Sequence, residues 1–457
     1  MHFHHSSSTA RDMTKGSILM QLITFSMPLM LGNVFQMLYN TVDSVVVGNF
    51  VGTQALAAVG STTMIVNIMV FFFGGFSTGA TVVIARRYGA GDRQKLHTAI
   101  QTTMTATFIL SVVFTVMGLV GVDPMLRLMA TPDDVFDQAA VYLRVYMAGF
   151  SGLVIYNMCS GILRAVGDTT RPLYFLILTS LMNIVLDLFF VLTMKMGIAG
   201  VAYATIISQF ISAGLTLALL TFTKDVYRMD WRDLHLNSKV VGEIVAVGLP
   251  AGIQSIVTAV SNVFVQSYIN AFQSQCMAGW ATYNKLNQFV ELPMQSLAIA
   301  STTFVSQNIG ADQEERANRG AFLSVALCLA VTGVIILVIE LFAAPAVALF
   351  TTDEEVIRFG VLFIRTNCVF LLFNCVNHVL AGAMRGRGES TAPMVIMLLS
   401  FVVLRQTYLF VMTHYIANTP TVVGFGYPLG WMTCCALEII YYVIHWGKKK
   451  PAGPELA

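Results

Sequence analysis

The stretch from Gly32 to Asp43 reads GNVFQMLYNTVD and lies inside the first long apolar segment of the chain. Its polar residues recur every three or four positions, which places them on one stripe of a helix. The stripe ends in a carboxylate, which is costly at membrane depth unless it faces a protein interior or a water-filled cavity. The pattern predicts a membrane helix whose polar face is functional and consists of Asn33, Gln36, Tyr39, Asn40 and Asp43.

The composition is typical of a polytopic membrane protein. Of the 457 residues, 56% are hydrophobic and only 11% are charged, whereas about a quarter of the residues in a soluble protein are charged. The net charge of +2 gives no indication of a nucleic-acid partner. The seven cysteines lie in apolar segments without metal-ligand spacing, so we expect buried thiols and no cofactor.

A helix needs about 20 apolar residues to span a bilayer. Most Lys and Arg residues precede the first such segment, follow the even-numbered segments or close the chain. Because basic loops remain in the cytoplasm, we expect a multi-pass protein of the cell inner (plasma) membrane with both termini cytoplasmic. The twelve predicted transmembrane helices are at about 18–47, 55–83, 96–121, 134–162, 172–194, 199–223, 240–270, 277–307, 319–350, 354–383, 393–416 and 424–446.

The chain also contains an internal repeat. The motif RAVGDTTRP at 164–172 matches RGRGESTAP at 385–393, and TPDDV at 131–135 matches TDEEV at 352–356. Each half therefore holds six helices, and an even number of crossings makes the halves parallel. We predict an all-α polytopic fold of two six-helix lobes related by a pseudo-two-fold axis along the membrane normal. The predicted parts are a cytoplasmic tail that is either native or a tag remnant (1–16), a first lobe (17–223), a cytoplasmic linker (224–239), a second lobe (240–446) and a cytoplasmic tail (447–457).

The repeat preserves the scaffold but not its carboxylates. Asp43 falls over Phe264 or Val265 in the second half, and Asp187 on the fifth helix falls over Tyr408. A purely architectural polar group should occur in both halves, so the acids indicate a site that belongs to the first lobe. The predicted cation-coupling residues are Asp43, Asp187, Asn183, Tyr39, Asn40 and Thr205.

Two kinds of ion chemistry fit this cluster. Its oxygens could hold Na⁺, with Asp43, Asn183, Asp187 and Thr205 as the ligands, or one carboxylate could bind and release a proton. Moving one charge through the membrane potential supplies about 2.3 kcal/mol per 100 mV, which is enough to drive a coupled solute. The residues leave H⁺ and Na⁺ both open.

A second polar stripe lies on the eighth helix. Glu291 on this stripe could attract cationic substrates, take part in coupling or pair with Lys285, although a spacing of six residues is poor for that pair. We expect this stripe and polar residues of the first and seventh helices to line a substrate cavity. The predicted lining residues are Gln36, Asn33, Glu291, Asn287, Gln288, Asn284, Gln254 and Thr258.

The remaining features of the membrane segments favour structural roles. Glu340, Glu438 and Arg405 are expected to pair between helices or to extend toward an interface. The run GGFSTGA at 74–80 indicates close helix packing rather than a phosphate loop, because no strand precedes it and no Lys-Ser/Thr follows it.

Several motifs together resemble one family. The run YNTVDSVVVG at 39–48 resembles helix 1 of the multidrug and toxic compound extrusion (MATE) family, of the MOP flippase superfamily. LRAVGDT at 163–169 and VGLP at 247–250 are similar to family motifs as well, and the resemblance extends from about Ser17 to Trp446. It implies cation-coupled antiport by two bundles that rock between outward-open and inward-open forms.

Within the family, the sequence resembles the DinF-like branch. The helix 1 Asp and Tyr, the helix 5 Asn and Asp, and the helix 6 Thr of that branch match the first-lobe cluster. The NorM-like branch has a glutamate eight residues after the proline of helix 7, where this chain has Thr258.

The sequence thus predicts an efflux antiporter, working as a monomer in the lipid bilayer, for amphipathic and typically cationic small molecules. The main alternative is a flippase for lipid-linked saccharides, which would favour a cationic cavity, and only Lys285 and Arg405 are candidates for it. An intramembrane enzyme would need a nucleophile–base pair or a metal motif such as HExxH, and neither is present. A channel accounts less well for a carboxylate cluster confined to one half.

Overall fold

The computed structural model describes residues 10–129 and 131–447. The ends of both predicted tails, at 1–9 and 448–457, lie outside the described residues. All regular structure within the described part is helical. The helices are α1 (Ile18–Val51), α2 (Gln54–Gly89), α3 (Arg93–Leu128), α4 (Asp133–Ala148 and Phe150–Ala165), α5 (Thr170–Thr193), α6 (Gly197–Phe222), α7 (Ser238–Ile269), α8 (Ser274–Gly310), α9 (Glu314–Leu341), α10 (Glu354–Gly386), α11 (Thr391–Ile416) and α12 (Pro420–Gly447).

Ten of these described helices are long and apolar enough to cross a membrane, and the two bent segments of α4 make an eleventh span. The remaining helix, α8, is 37 residues long. Its hydropathy is lowered by the polar stripe that includes Asn284, Asn287 and Glu291. The all-helical membrane fold predicted from the sequence is therefore confirmed.

Some helix boundaries differ from the prediction for local reasons. The ninth helix was expected to reach residue 350, but α9 ends at Leu341 and a separate short helix covers Ala343–Ala348. Pro345 lies in the first turn of that short helix, where a missing N–H costs least. The fourth helix bends by 46° at Gly149, where a Cβ would lie 2.3 Å from the side chain of Ile206. The bend therefore coincides with a close approach of α6.

The internal repeat extends to individual hydrogen bonds. Thr81 Oγ1 on α2 donates to the carbonyl oxygen of Gly161 on α4 at 3.1 Å. At the matching positions of the second half, Thr302 Oγ1 on α8 donates to the carbonyl oxygen of Gly382 on α10 at 2.9 Å. The same side chain thus ties the second helix of each half to the fourth.

The turns after the fourth helix of each half are also alike. Gly167 and Gly388 both have positive φ, 85° and 84°, a conformation that glycine adopts without steric cost. The next residue, Asp168 or Glu389, accepts hydrogen bonds from the backbone N–H groups two and three positions later. The acid therefore caps the first turn of the following helix in each half.

By contacts the chain forms two compact units. Among the described residues, the first contains 10–13 and Met27–Gly252, and the second contains Thr14–Ser26 and 253–447. The segments of α1 and α7 that change unit do so beside Pro28 and Pro250, which match each other in the repeat. The predicted lobe boundaries follow the repeat rather than these contacts, and they stay a prediction.

Glycines hold α2 close to the first half of α7 within the first unit. A Cβ on Gly75 would lie 2.4 Å from the backbone nitrogen of Gly252, and one on Gly79 would lie 2.2 Å from the carbonyl oxygen of Ile244. Only a residue without a side chain permits this approach of two helix backbones. The close packing predicted from the run at 74–80 is confirmed.

Each unit has its own apolar core. In the first unit, buried residues of α2, α3 and α4 such as Ile84, Ile100 and Leu163 pack together. In the second unit, the ring of Trp280 on α8 meets that of Phe363 on α10 edge to face, with centroids 4.8 Å apart. All seven cysteines are buried and free, as expected from the sequence.

The described part of the N-terminal tail belongs to the fold. The backbone N–H of Arg11 donates to the carbonyl oxygen of Val166 at 3.0 Å, and Met13 is fully buried. Part of the predicted cytoplasmic tail (1–16) is therefore packed within the first unit, with Arg11 beside the turn at Gly167.

Candidate cation-coupling site

Two acidic side chains from distant parts of the sequence meet inside the first unit. The carboxyl group of Asp43 on α1 is in hydrogen-bonding contact with that of Asp187 on α5. Asp187 is fully buried, and Asp43 is half-buried. An ionised carboxylate can only accept, so a hydrogen bond between two carboxyl groups requires a proton on one of them. The pair therefore has the chemistry of a shared proton.

An amide joins both acids to a third helix. Asn183 lies one turn before Asp187 on α5 and is buried. Its amide orientation is assigned from the partners it can satisfy. Its nitrogen then donates to Asp187 Oδ2 at 3.0 Å and to Asp43 Oδ1 at 3.2 Å, while its oxygen accepts from the backbone N–H of Thr205 at 3.2 Å. Asn183 therefore fixes α1, α5 and α6 around the carboxyl pair.

A tyrosine hydroxyl lies on the other side of Asp43. Tyr39, one turn earlier on α1, is in hydrogen-bonding contact with the carboxyl of Asp43 and with the hydroxyl of Thr205. Thr205 in turn donates to the carbonyl oxygen of Val201 at 3.0 Å. Five of the six predicted coupling residues thus come together. The sixth, Asn40, has an exposed side chain and makes none of the described contacts of this cluster.

Sequence reasoning missed the tyrosines of α4. The rings of Tyr142 and Tyr146 stack with centroids 6.2 Å apart, and both act electrostatically on the cluster. Tyr146 is also in hydrogen-bonding contact with Gln209 on α6. A usable signal for Gln209, the partner of Tyr146, was the polar spacing of α6, where Thr205, Gln209 and Ser212 lie on one face.

Some buried oxygens of α5 and α6 have capacity for a ligand. Asp187 Oδ1, Ser208 Oγ and Gln209 Oε1 make no hydrogen bond with any described residue. No group of three or more His, Cys, Asp or Glu side chains with metal-site geometry occurs among residues 10–129 and 131–447. The donor set of two carboxyls, one amide and hydroxyls suits either a proton or a hard cation that accepts neutral oxygens.

The backbone changes its winding just after each acid. A π-type turn covers Val47–Val51 at the end of α1, and another covers Phe189–Thr193 at the end of α5. Such turns are rare in proteins overall, and those that occur are often at functional sites. In both helices the ordinary α-helical hydrogen bonding therefore ends next to the carboxyl pair.

The predicted lining residues on α8 make contacts within the second unit. Asn287 Nδ2 donates to Glu291 Oε1 at 2.9 Å, and both residues are half-buried. The ammonium group of Lys285 lies 5.5 Å from the ring centroid of Phe350. Lys285 therefore points to an aromatic ring, and the described ion pairs of this unit do not join it to Glu291.

The other predicted lining residues differ in exposure. Gln254 is buried and accepts a hydrogen bond from Arg385 Nη1 at 3.1 Å, so its side chain is engaged inside the second unit. Gln36 and Gln288 are exposed, whereas Asn33, Asn284 and Thr258 are half-buried.

Comparison with known proteins decides the family. The family model named MatE matches residues 28–189 and 250–410, one stretch in each half. The chain belongs to the MatE family. The probable multidrug resistance protein YoeA of Bacillus subtilis is 30% identical over 445 residues, which make up 96% of both chains. YpnP of the same organism, also a probable multidrug resistance protein, is 30% identical over 95% of this chain and 96% of its own.

A solved structure agrees with the fold. The structure of a MOP superfamily transporter from Pyrococcus furiosus superposes with a TM-score of 0.90 at 24% identity, covering 97% of this chain and 99% of that one. The resemblance to the MATE family is therefore confirmed, and this MatE protein is a membrane-embedded transporter rather than an enzyme. Its place in the DinF-like branch stays a prediction.

Proposed function

We propose that this MatE protein is a cation-coupled antiporter that exports drugs or metabolites, with the Asp43–Asp187 pair as the coupling site. The observation that carries the proposal is the direct contact of two carboxyl groups inside one unit of a transporter. A pair that needs one proton to hold together changes its geometry when the proton leaves, because two adjacent carboxylates repel each other.

Proton binding is then linked to the position of α1. With a proton present, the two acids, Asn183 and Tyr39 draw α1, α5 and α6 together. When the proton leaves, one carboxylate must turn away, and α1 is the helix on which Asp43 and Tyr39 can move together. We propose that this change favours one of two states of a rocker-switch cycle, so that proton entry drives solute exit. Sodium is the competing ion, and the unpaired Oδ1 of Asp187 would be its ligand.

The proposed substrates are amphipathic small molecules, many of them cationic. The relatives YoeA and YpnP are described as probable multidrug resistance proteins, and the 25 Met and 31 Phe residues of the chain suit an adaptable apolar cavity for such solutes. The flippase alternative has less support, because Lys285, one of its two candidate cavity cations, lies over the Phe350 ring. We further propose that the protein acts as a monomer in the cell membrane with both termini in the cytoplasm.

Transport by proteoliposomes tests the proposal. Export of a cationic dye such as ethidium is measured under an imposed pH gradient and, separately, under a Na⁺ gradient. We expect the pH gradient to drive export, Asp43→Asn to abolish it, and Glu340→Gln to leave it unchanged, because Glu340 is a carboxyl of α9 outside the cluster. Gradient-driven export by a folded Asp43→Asn variant would remove Asp43 from its role, and export driven by Na⁺ alone would identify sodium as the coupling ion.

A further inference from the structure

A buried arginine occupies the region of the second half that matches the carboxyl pair of the first. In the repeat, α7 and α11 correspond to α1 and α5, and Ser261 and Asn262 fall over Tyr39 and Asn40 when Pro250 is set over Pro28. Arg405 on α11 donates through Nη2 to Ser261 Oγ and to Asn262 Oδ1, the latter at 3.0 Å. The two helices that carboxyl groups join in the first half are therefore joined by a cation in the second.

The winding of α11 accounts for the position of this arginine. A π-type turn covers Leu398–Leu404, directly before Arg405. Such a turn contains one more residue than an α-helical turn and so rotates the following residues by about one position. By a constant shift, Asn183 falls over Leu404. After the extra residue, Arg405 takes the place of Asn183 on the face toward the first helix of its half.

The positive charge of Arg405 has no acidic partner in the described part of the chain. Only 2% of the residue is exposed, and it makes none of the ion pairs formed by residues 10–129 and 131–447. Its Nε donates to the carbonyl oxygen of Phe401 at 3.2 Å, and none of the described hydrogen bonds uses Nη1. A buried cation without an ion-pair partner is costly, so this position favours an anionic ligand.

The surroundings of Arg405 resemble one side of a ligand site. The ring of Tyr427 on α12 lies 4.8 Å from the guanidinium carbon, and Gln406 Nε2 donates to Ser261 Oγ at 3.0 Å. Tyr427, Gln406 and Asn262 are half-buried, so the cluster reaches the edge of its unit. Glu291 also acts electrostatically on Tyr427. The Glu291 carboxyl and the Arg405 guanidinium thus both lie near the Tyr427 ring.

We propose that Arg405, with Ser261, Asn262 and Gln406, forms an anion-binding site that holds the carboxylate or phosphate group of an aromatic or amphipathic solute. The N–H groups of Arg405 Nη1 are left to donate charge-assisted hydrogen bonds to such a group, and the Tyr427 ring offers a face to a flat aromatic body. The proposal rests on the proposed export function for its place in transport, and it extends the substrate class from cations to molecules that also carry a negative group.

Two dyes that differ only at the anionic group provide the test. Rhodamine B carries a carboxylate, which its ethyl ester lacks. Binding of each dye to the purified full-length protein is measured by fluorescence anisotropy for wild type, Arg405→Gln, Arg405→Lys and the control Arg144→Gln. Arg144 is an exposed arginine of α4 that pairs with Asp123. No gradient is used, so the result is independent of coupling at Asp43.

We expect wild type and Arg144→Gln to bind rhodamine B about 10-fold or more tightly than the ester, on the scale of a hydrogen bond to a charged group. Arg405→Gln should bind the two dyes equally at an unchanged affinity for the ester, and Arg405→Lys should retain part of the preference. Unchanged ester binding also reports that Arg405→Gln is folded. Equal binding of both dyes by wild type, a preference that persists in Arg405→Gln, or parallel loss of both dyes would overturn the proposal.

The anion could belong to a solute or to a lipid headgroup, and nanodiscs distinguish the two sources. The same dye measurements are made in phosphatidylcholine and in phosphatidylglycerol nanodiscs. A solute site predicts the same preference for rhodamine B in both. A lipid site predicts that phosphatidylglycerol weakens rhodamine B binding and that Arg405→Gln removes this effect.

Discussion

The carboxyl groups of Asp43 on α1 and Asp187 on α5 are in hydrogen-bonding contact. Asn183 donates to both of them, so the two acids and the amide form one unit rather than two independent sites. Since the contact needs a proton, the pair should release one proton, and not two, when it separates. This relationship determines how substitutions at the two positions should combine.

Asp43→Asn and Asp187→Asn should be strongly non-additive. Each single variant should abolish proton-driven dye export, because the one remaining carboxyl cannot share a proton with an amide. The double variant should therefore export no less than either single variant. The measurement is a double-mutant cycle on transport in proteoliposomes, together with proton release on dye binding in weakly buffered detergent solution. Proton release by Asp187→Asn at the wild-type level would show that Asp43 alone holds the proton.

Tyr39→Phe should weaken coupling without abolishing it. The variant keeps the ring but loses the hydroxyl that contacts Asp43 and Thr205, a contribution of about 1 kcal/mol. Ionised Asp43 then has one donor fewer, so the pH of half-maximal export should move upward. The pH profile of dye export measures the shift, with the exposed Tyr415→Phe as the control. A profile identical to that of wild type would place the Tyr39 hydroxyl outside the coupling chemistry.

The helices could be predicted from the sequence because a run of bilayer length is a strong signal. Their ends could not be predicted as well. The break after Leu341 depends on Pro345, and the bend at Gly149 depends on the approach of Ile206, which is a partner 57 positions later in the chain. Hydropathy reports the lipid environment, whereas such breaks come from local stereochemistry and tertiary contacts.

Adjacent glycines of α2 should respond oppositely to alanine. At Gly75 a Cβ would meet the backbone of Gly252 at 2.4 Å, whereas at Gly74 nothing lies within 4 Å. Gly75→Ala should therefore destabilise the protein by about 1–3 kcal/mol, and Gly74→Ala should be neutral or stabilising by up to about 1 kcal/mol.

Thermal unfolding of the two variants in detergent is the measurement. The intrinsic gain from alanine is the same at both positions, so their difference isolates the contact with α7. Equal melting temperatures would mean that α2 and α7 do not approach as closely as described.

Glycines with positive φ provide a second matched pair. Gly167 has φ 85°, and its Cβ would lie 2.4 Å from the carbonyl oxygen of Arg11. Gly91 has φ 67° with nothing within 4 Å of the added atom. Gly91→Ala should cost about 1–2 kcal/mol from backbone strain alone, and Gly167→Ala should cost more because it also displaces the segment at Arg11.

Limited proteolysis near Arg11, combined with thermal unfolding, checks this expectation. The Gly167→Ala variant should be cut faster in that segment, and Gly91→Ala should be cut at the wild-type rate. Equal stability of the two variants would show that the N-terminal segment contributes nothing at this turn.

Most of the candidate site could be predicted because acids in apolar segments are conspicuous. The stripe on α1 wrongly included Asn40 in the cluster. A spacing of three or four residues covers an arc of about 100° of the helix surface, and some positions within that arc stay exposed. Tyr142 and Tyr146 were missed because tyrosines are ordinary in membrane helices. For Arg405, the sequence shows a lone charge but not that its hydrogen-bond partners are all neutral.

The threonine–glycine bond that occurs once in each half also gives the molecule an internal reference. Thr81→Val and Thr302→Val each replace the hydroxyl that donates to the glycine carbonyl oxygen with a methyl group, once in each half. A difference between their effects on transport then reports features that the halves do not share, among them the carboxyl pair of the first half. The Thr302→Val variant therefore serves as a control for Thr81→Val within the same protein.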